Sequence, residues 1–293
     1  MSETFREALA GEGIILGDGA IGTVLQAKGL PAGKLPEAWN LEEPDAIRDM
    51  HRAYLAAGAR FVTTNTFGGN RFRLREGGLE DDLFEINRLG AALAKDAVAD
   101  GAWVAGSIGP TGRLMDPLGA LTSEQAEEAF AEQIEGLIAG GADIIKIETQ
   151  HDAEEACAAV RAARAVCSLP IICSYSFNVK GRTMMGLRAG QAAKQSVAAG
   201  ADVVGSNCGD GPEAVRAALE GMRQVATVPL FAQPNAGIPS AGRGAEETTW
   251  DVTPDQLAEH IAGYVELGAK VVSGCCGTSP DYVAAIATRL GIR

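Results

Sequence analysis

The chain has 293 residues, 46% of them hydrophobic and 22% charged, enough apolar material for one large buried core. Its 38 acidic residues outweigh 25 basic ones, for a formal net charge of −13. That balance argues against nucleic acid and against an anionic membrane surface as partners. No apolar stretch approaches the roughly 18 residues of a membrane span, and the N-terminus carries Glu3, Arg6 and Glu7 where a secretory leader would be apolar. A cytoplasmic protein acting on a small molecule is expected. Six cysteines without small-domain spacing suit a reducing compartment better than a disulfide framework.

Along the chain, short apolar or β-branched runs recur at Ile14–Asp18, Phe61–Thr66, Trp103–Ser107, Ile144–Glu148, Ile171–Ser176, Val203–Asn207, Leu230–Pro234 and Val271–Gly274. Between them lie stretches with helical periodicity, among them Pro44–Ala57, Asp82–Ala99, Ser123–Ala139, Ala153–Val166 and Pro254–Leu267. Thr122 or Ser123, Asp152 and Thr253 are placed to cap helix starts, and the pairs Gly58-Ala59, Gly141-Ala142, Gly200-Ala201 and Gly268-Ala269 to end helices before a strand. Strands that are apolar throughout, alternating with helices, predict a parallel sheet covered on both faces. The expected fold is α/β, a single (β/α)8 TIM barrel over residues 1–293. A doubly wound open sheet is the alternative, but no GxGxxG turn follows the first strand. The longer insertions, Ile21–Glu43, Ile108–Leu121, Phe177–Gly190 and Asn235–Val252, read as loops at the C-terminal ends of strands, where barrels of this kind build their active sites.

The residues at those ends carry chemistry. Cys208 follows the sixth run, and Cys275 and Cys276 stand side by side after the eighth, each in a glycine-rich junction. Three soft donors suit Zn²⁺ at Zn–S distances of about 2.3 Å, with a coordination position left open. The wide spacing is not that of a structural zinc knuckle; the alternative is that these thiols are small buried hydrophobes or a redox pair. Cys157, Cys167 and Cys173, in a predicted helix and strand, read as packing residues. Asp18, Asn65 and Glu148 end the first, second and fourth runs on the same rim. Asn235, after the run between those bearing the cysteines, is placed either to fill the fourth zinc position without substrate or to form a turn.

Asp18-Gly19-Ala20-Ile21-Gly22-Thr23, Thr64-Asn65-Thr66-Phe67-Gly68, Gly106-Ser107-Ile108-Gly109-Pro110, Glu148-Thr149, Asn207-Cys208, Gln233-Pro234-Asn235-Ala236-Gly237 and Gly274-Cys275-Cys276-Gly277-Thr278 together resemble the homocysteine S-methyltransferase family, over nearly the whole chain. The resemblance implies a barrel with a three-cysteine zinc that binds homocysteine as its thiolate and methylates it to methionine. Cys208, Cys275 and Cys276 would be the metal ligands and catalytic centre. It further implies that Glu148, with Asp18, receives the amino group of homocysteine, while the turn at Gly19 offers backbone N–H groups to its carboxylate. The alternatives are that Asp18 orders the turn or caps a helix and that Glu148 pairs with Lys146 or an arginine.

Three methyl donors are compatible with the family. Betaine would need an aromatic box, for which Trp39, Phe67, Tyr175, Phe177 and Trp250 are candidates; Pro36-Glu37-Ala38-Trp39-Asn40 resembles a stretch of bacterial proteins assigned as betaine-dependent. The chain departs from the animal betaine enzymes in its aromatic pattern and in ending without their C-terminal extension. Methylcobalamin would come on a separate corrinoid protein, since no DxHxxG motif occurs. S-methylmethionine is the third donor. Another thiol acceptor, or a non-catalytic zinc or redox-sensing barrel, are the remaining readings. The pairs Glu42-Glu43, Glu127-Glu128 and Glu246-Glu247 read as solvated faces.

Overall fold

The computed structural model describes residues 3–98, 101–241 and 248–292. Its strands are β1 (Ile15–Leu16), β2 (Phe61–Thr63), β3 (Trp103–Ile108), β4 (Ile144–Gln150), β5 (Ile171–Tyr175), β6 (Val203–Cys208), β7 (Leu230–Pro234), β8 (Pro239–Ala241), β9 (Thr248–Trp250) and β10 (Ala269–Val272). All but β8 and β9 form one eight-stranded sheet in the order β1-β10-β7-β6-β5-β4-β3-β2, each neighbouring pair parallel. A parallel bridge from Gly17 to Phe61, with the Arg60 N–H donating to the Leu16 carbonyl at 2.7 Å, joins β1 to β2 and closes the barrel. The β8–β9 pair is a separate antiparallel hairpin in the segment after β7.

Strand periodicity divides the barrel interior into layers. One buried residue from every barrel strand, Ile15, Phe61, Trp103, Ile144, Ile172, Val203, Phe231 and Val271, packs into one apolar cluster. Phe5, from the helix Phe5–Ala10, joins that cluster and meets Phe61 and Trp103 edge to face. Two residues further along each strand the same face becomes polar or small, because side chains repeat with period two: Thr63, Lys146, Ser174, Gln233 and Ser273 are all buried. Two residues further still come Gly19, Asn65, Ser107, Glu148, Asn207, Asn235 and Cys275. The apolar layer holds the barrel shut, and the polar layers above it build a site.

The helices Pro44–Ala56, Leu83–Ala97, Ser123–Ala139, Ala153–Val166 and Pro254–Glu266 match the periodic stretches; the expected end at Ala99 lies outside the described residues. Thr122 and Thr253 form capping boxes and Asp152 caps the helix that follows it. The segment Ile21–Glu43 is not a simple loop. It contains a helix at Gly22–Ala27, a 3-10 turn at Pro36–Ala38 and a short helix at Trp39–Glu42, organised by a proline at the start of the turn and by burial of Trp39 in the main core. Of the segment Asn235–Val252, residues 242–247 lie outside the described residues, Glu246 and Glu247 with them. Among the described residues no helix is long and apolar enough to cross a membrane.

Candidate functional site

The last residue of β6, Cys208, has φ 58° and the residue after the acid of β4, Thr149, has φ 60°; they are the non-glycine residues with positive φ among those described. Such a conformation costs a non-glycine residue about 1 kcal/mol or more, and here it turns the Cys208 thiol toward the barrel axis. Asn207 holds both places. Its amide oxygen accepts from the Thr149 N–H at 2.8 Å and from the Ser174 hydroxyl at 2.8 Å, and its amide nitrogen donates to Thr149 Oγ1 at 2.7 Å.

The other two thiols come from the turn after β10. The Cys275 N–H donates to the Pro234 carbonyl at 2.8 Å, the Ala236 N–H to the Cys276 carbonyl at 2.9 Å, and Thr278 Oγ1 to the Cys275 carbonyl at 2.6 Å. The turn is thereby fixed to the end of β7, between the strands that carry the cysteines. Cys208 Sγ lies 3.1 Å from Cys275 Sγ and 3.7 Å from Cys276 Sγ, and all three sulfurs fall within 4.8 Å of one another. Tetrahedral zinc sets its sulfurs about 3.8 Å apart, so the Cys208–Cys276 pair already matches the ion and the Cys208–Cys275 pair would widen to hold it. The hydrogen bond from Cys208, and then that from Cys275, hold the Cys276 thiol down to about 4. Donation to Cys275 and Cys276, together with burial, pushes Cys208 well above the usual thiol range. The cluster concentrates negative charge on its exposed member, the side from which a cation would arrive.

Beneath the thiols is a charged floor. Glu148 accepts from the Ser107 hydroxyl at 2.6 Å and pairs with Lys146 Nζ at 3.0 Å. Lys146 is fully buried and also donates to Thr63 Oγ1 at 3.3 Å. Thr63 in turn gives its hydroxyl to Asp18 at 2.8 Å and its N–H at 2.6 Å. Burial is the main cause that raises the Asp18 carboxyl to about 6, against the opposing pull of Lys146 and the Thr63 hydrogen bonds. Asp18 therefore ties β1 to β2, and Glu148 has the Lys146 partner that the sequence left open.

A cavity of about 270 Å³ joins these groups, lined among others by Gly19, Asn65, Lys146, Glu148, Cys208, Cys275 and Cys276. Thr278 takes the N–H of Ala20, while those of Gly19 and Ile21 have no acceptor among the described residues. Asn65 donates to the Pro36 carbonyl at 2.7 Å and to Asn40 Oδ1 at 3.0 Å, which anchors the segment carrying Trp39. Trp39 itself packs in the core away from the cavity lining. Asn235 also stands outside that lining; its amide nitrogen donates to the Gly209 carbonyl at 3.1 Å and its buried amide oxygen has no partner among the described residues.

Of the aromatic candidates, Phe67 lines the cavity, Tyr175 and Phe177 are buried, and Trp250 packs against Gly277. Cys157 and Cys173 are buried and Cys167 partly so. Sequence reasoning gave no site role to Thr63, Lys146, Ser107 or Glu37. Glu37 lines the cavity with one carboxylate oxygen on the Gly68 N–H at 2.6 Å and the other buried without a partner among the described residues. For Lys146 a signal was present: it stands two residues before Glu148 in an otherwise apolar strand, and period two puts both on the inner face.

The chain is 33% identical over 294 aligned residues to methionine synthase of Mycobacterium leprae and 34% identical to that of Mycobacterium tuberculosis, matching 94% of its own length in each case. It spans only 24% of the length of these relatives. Among solved structures, the homocysteine methyltransferase MmuM of Escherichia coli in its metallated form superposes with a TM-score of 0.80 at 24% identity, covering 97% of this chain and 99% of that one; this likeness is one of fold. The family described as Homocysteine S-methyltransferase matches residues 15–290. With that match extending over nearly the whole barrel, the protein belongs to the homocysteine S-methyltransferase family.

Proposed function

We propose that the protein is a zinc-dependent S-methyltransferase that transfers a methyl group to the thiolate of homocysteine to give methionine. The observation that carries the reading is the convergence of Cys208, Cys275 and Cys276 on one wall of a cavity whose floor holds Glu148. Zinc on the three thiolates would supply the Lewis acidity that keeps an acceptor thiol deprotonated at neutral pH. The protein's own groups bind and orient. Glu148 offers the negative partner for the acceptor's ammonium, and the free N–H groups of Gly19 and Ile21 offer donors for its carboxylate. Asp18 acts through Thr63 and its contacts to the turn after β10, where the Gly274 N–H and the Ser273 hydroxyl both donate to its carbonyl at 2.8 Å. The apolar layer below excludes water from the floor.

The methyl donor is betaine or a methylated corrinoid on a partner protein. Exposed apolar side chains in the segments after β2, β3, β5 and β7, Phe67, Leu114, Leu118, Val179, Met184 and Ile238, favour the protein-borne donor, since apolar surface at one end of a barrel suits a protein contact. The test is methionine formation by zinc-loaded, reduced protein with homocysteine and, in separate reactions, betaine, S-methylmethionine and methylcobalamin. Cys208→Ala should lose zinc and turnover while keeping the barrel. Full zinc stoichiometry in that variant would overturn the assignment of the metal ligands, and no turnover with any donor would move the acceptor to another thiol.

A further inference from the structure

The carboxylate expected to receive the acceptor's ammonium already has an ammonium. Lys146 Nζ sits 3.0 Å from Glu148 Oε2, and Ser107 occupies the other oxygen at 2.6 Å. Through Thr63 the same lysine is linked to Asp18. It is fully buried, lines the cavity and has the Phe231 ring centroid 5.7 Å from Nζ. Its third N–H has no acceptor among the described residues. A pocket with Asp18 and Glu148 alone would present two negative charges and demand a cation. With Lys146 in place the floor supplies that cation itself, from a position where water screens it little.

We propose that Lys146 is a specificity-determining residue, an internal counter-ion that makes the α-ammonium of the acceptor dispensable and admits ω-mercaptocarboxylates, of which γ-mercaptobutyrate is homocysteine without its amine. The proposal rests on the reading of the cavity as the thiol-acceptor site and extends its substrate class. In such a turnover the acceptor thiol gives its proton to solvent. Its sulfur lone pair forms the new bond to the methyl carbon of the activated donor, and the donor's bond to that carbon breaks with its electron pair staying on the donor. The carboxylate of the acceptor keeps the free N–H groups at Gly19 and Ile21. In the place of the missing ammonium, Lys146 continues to satisfy Glu148.

The contrast is measurable without turnover. Calorimetric titration of the protein with methionine and with γ-(methylthio)butyrate compares the two methylated products, which differ only in the ammonium. A site built to bond a substrate group rejects an analogue lacking that group by about 10⁴-fold. The proposal expects the two to bind wild-type protein within about tenfold, because one buried charge already stands where the ligand's would act. Lys146→Met should shift the ratio toward methionine by at least roughly tenfold, as the ligand's ammonium becomes the sole cationic partner of Glu148. A loss of packing alone would weaken both ligands together and leave the ratio unmoved.

Tight binding of methionine with no detectable γ-(methylthio)butyrate binding overturns the proposal and leaves the homocysteine reading intact. An unchanged ratio in a folded Lys146→Met protein overturns it as well. Binding of neither ligand removes the acceptor reading and this inference with it. Where the variant does not fold, the wild-type ratio decides.

Discussion

Asn207→Ala removes the one side chain that holds both left-handed residues of the site. The amide takes part in three hydrogen bonds, two accepted and one donated, at 2.7 to 2.8 Å, from a fully buried position. At about 1 kcal/mol net for each, their loss amounts to about 3 kcal/mol. The partners left behind fare differently. Thr149 is half-buried at the cavity and regains water, whereas the Ser174 hydroxyl is fully buried and retains a desolvation cost of about 1 kcal/mol or more. The expected destabilisation is about 3 to 4 kcal/mol, read as a lowered midpoint in urea at unchanged slope.

A second consequence separates this network from ordinary packing. Cys208 and Thr149 keep φ of 58° and 60° because Asn207 over-determines them, and without it the backbone relaxes toward the extended region. The Cys208 thiol then moves away from Cys275 and Cys276. Cobalt(II) titration, followed by its thiolate charge-transfer absorption, should show at least tenfold weaker binding, within the range seen when an orienting partner of a metal ligand is removed. A loss below about 1 kcal/mol together with unchanged cobalt affinity would refute the claim that Asn207 sets the geometry of the centre.

Gly19→Ala would place a Cβ 2.4 Å from the Thr278 carbonyl oxygen, a backbone atom that also accepts from Tyr54 at 2.8 Å and Ala20 at 2.9 Å; a loss of about 3 kcal/mol in thermal or urea unfolding is expected from overpacking and disrupted bonds, and a neutral effect would mean that the turn has slack. In metal-free protein, Asp18 keeps its proton up to about 6 against an ordinary value of 3.8. Between these values the unfolded chain has already released the proton and the native state holds it, so stability falls as pH rises, by about 3 kcal/mol from this group. Urea midpoints measured from pH 4 to 7 should show that fall in the wild type and lose it in Asp18→Asn; parallel curves for the two proteins would exclude Asp18 as its source.

The rim was legible because strand period and strand ends are both written in single residues. Asp18, Asn65, Glu148, Cys208 and the pair Cys275-Cys276 each follow an apolar run, and a parallel barrel gathers such ends on one face. What parity cannot give is contact across the barrel. That Lys146 reaches Glu148 along its own strand follows from period two, but that it also reaches Thr63 on β2, two strands away across β3, depends on the curvature of the barrel. The left-handed turn at Cys208 was hidden for a different reason, since it is imposed by Asn207 and Thr149 rather than by the cysteine's own preference. Trp39 entered the donor set by residue type and by the resemblance of Pro36–Asn40 to a betaine-dependent stretch; the structure packs its ring in the core, off the cavity lining, where it stabilises the segment after β1.

The layering also explains where selectivity resides. Loops that follow strands tolerate change, and it is there that a barrel ordinarily varies its substrate. On the proposed function, the acceptor end of the cavity is set one layer deeper, by buried side chains borne on strands above an apolar layer. A lysine at that depth cannot swing away, because its stem is surrounded and its ammonium must keep polar partners to avoid the cost of an isolated buried charge. Its pairing with Glu148 is consequently in place before any ligand arrives, and on the proposed function the loops above are left to recognise the methyl donor.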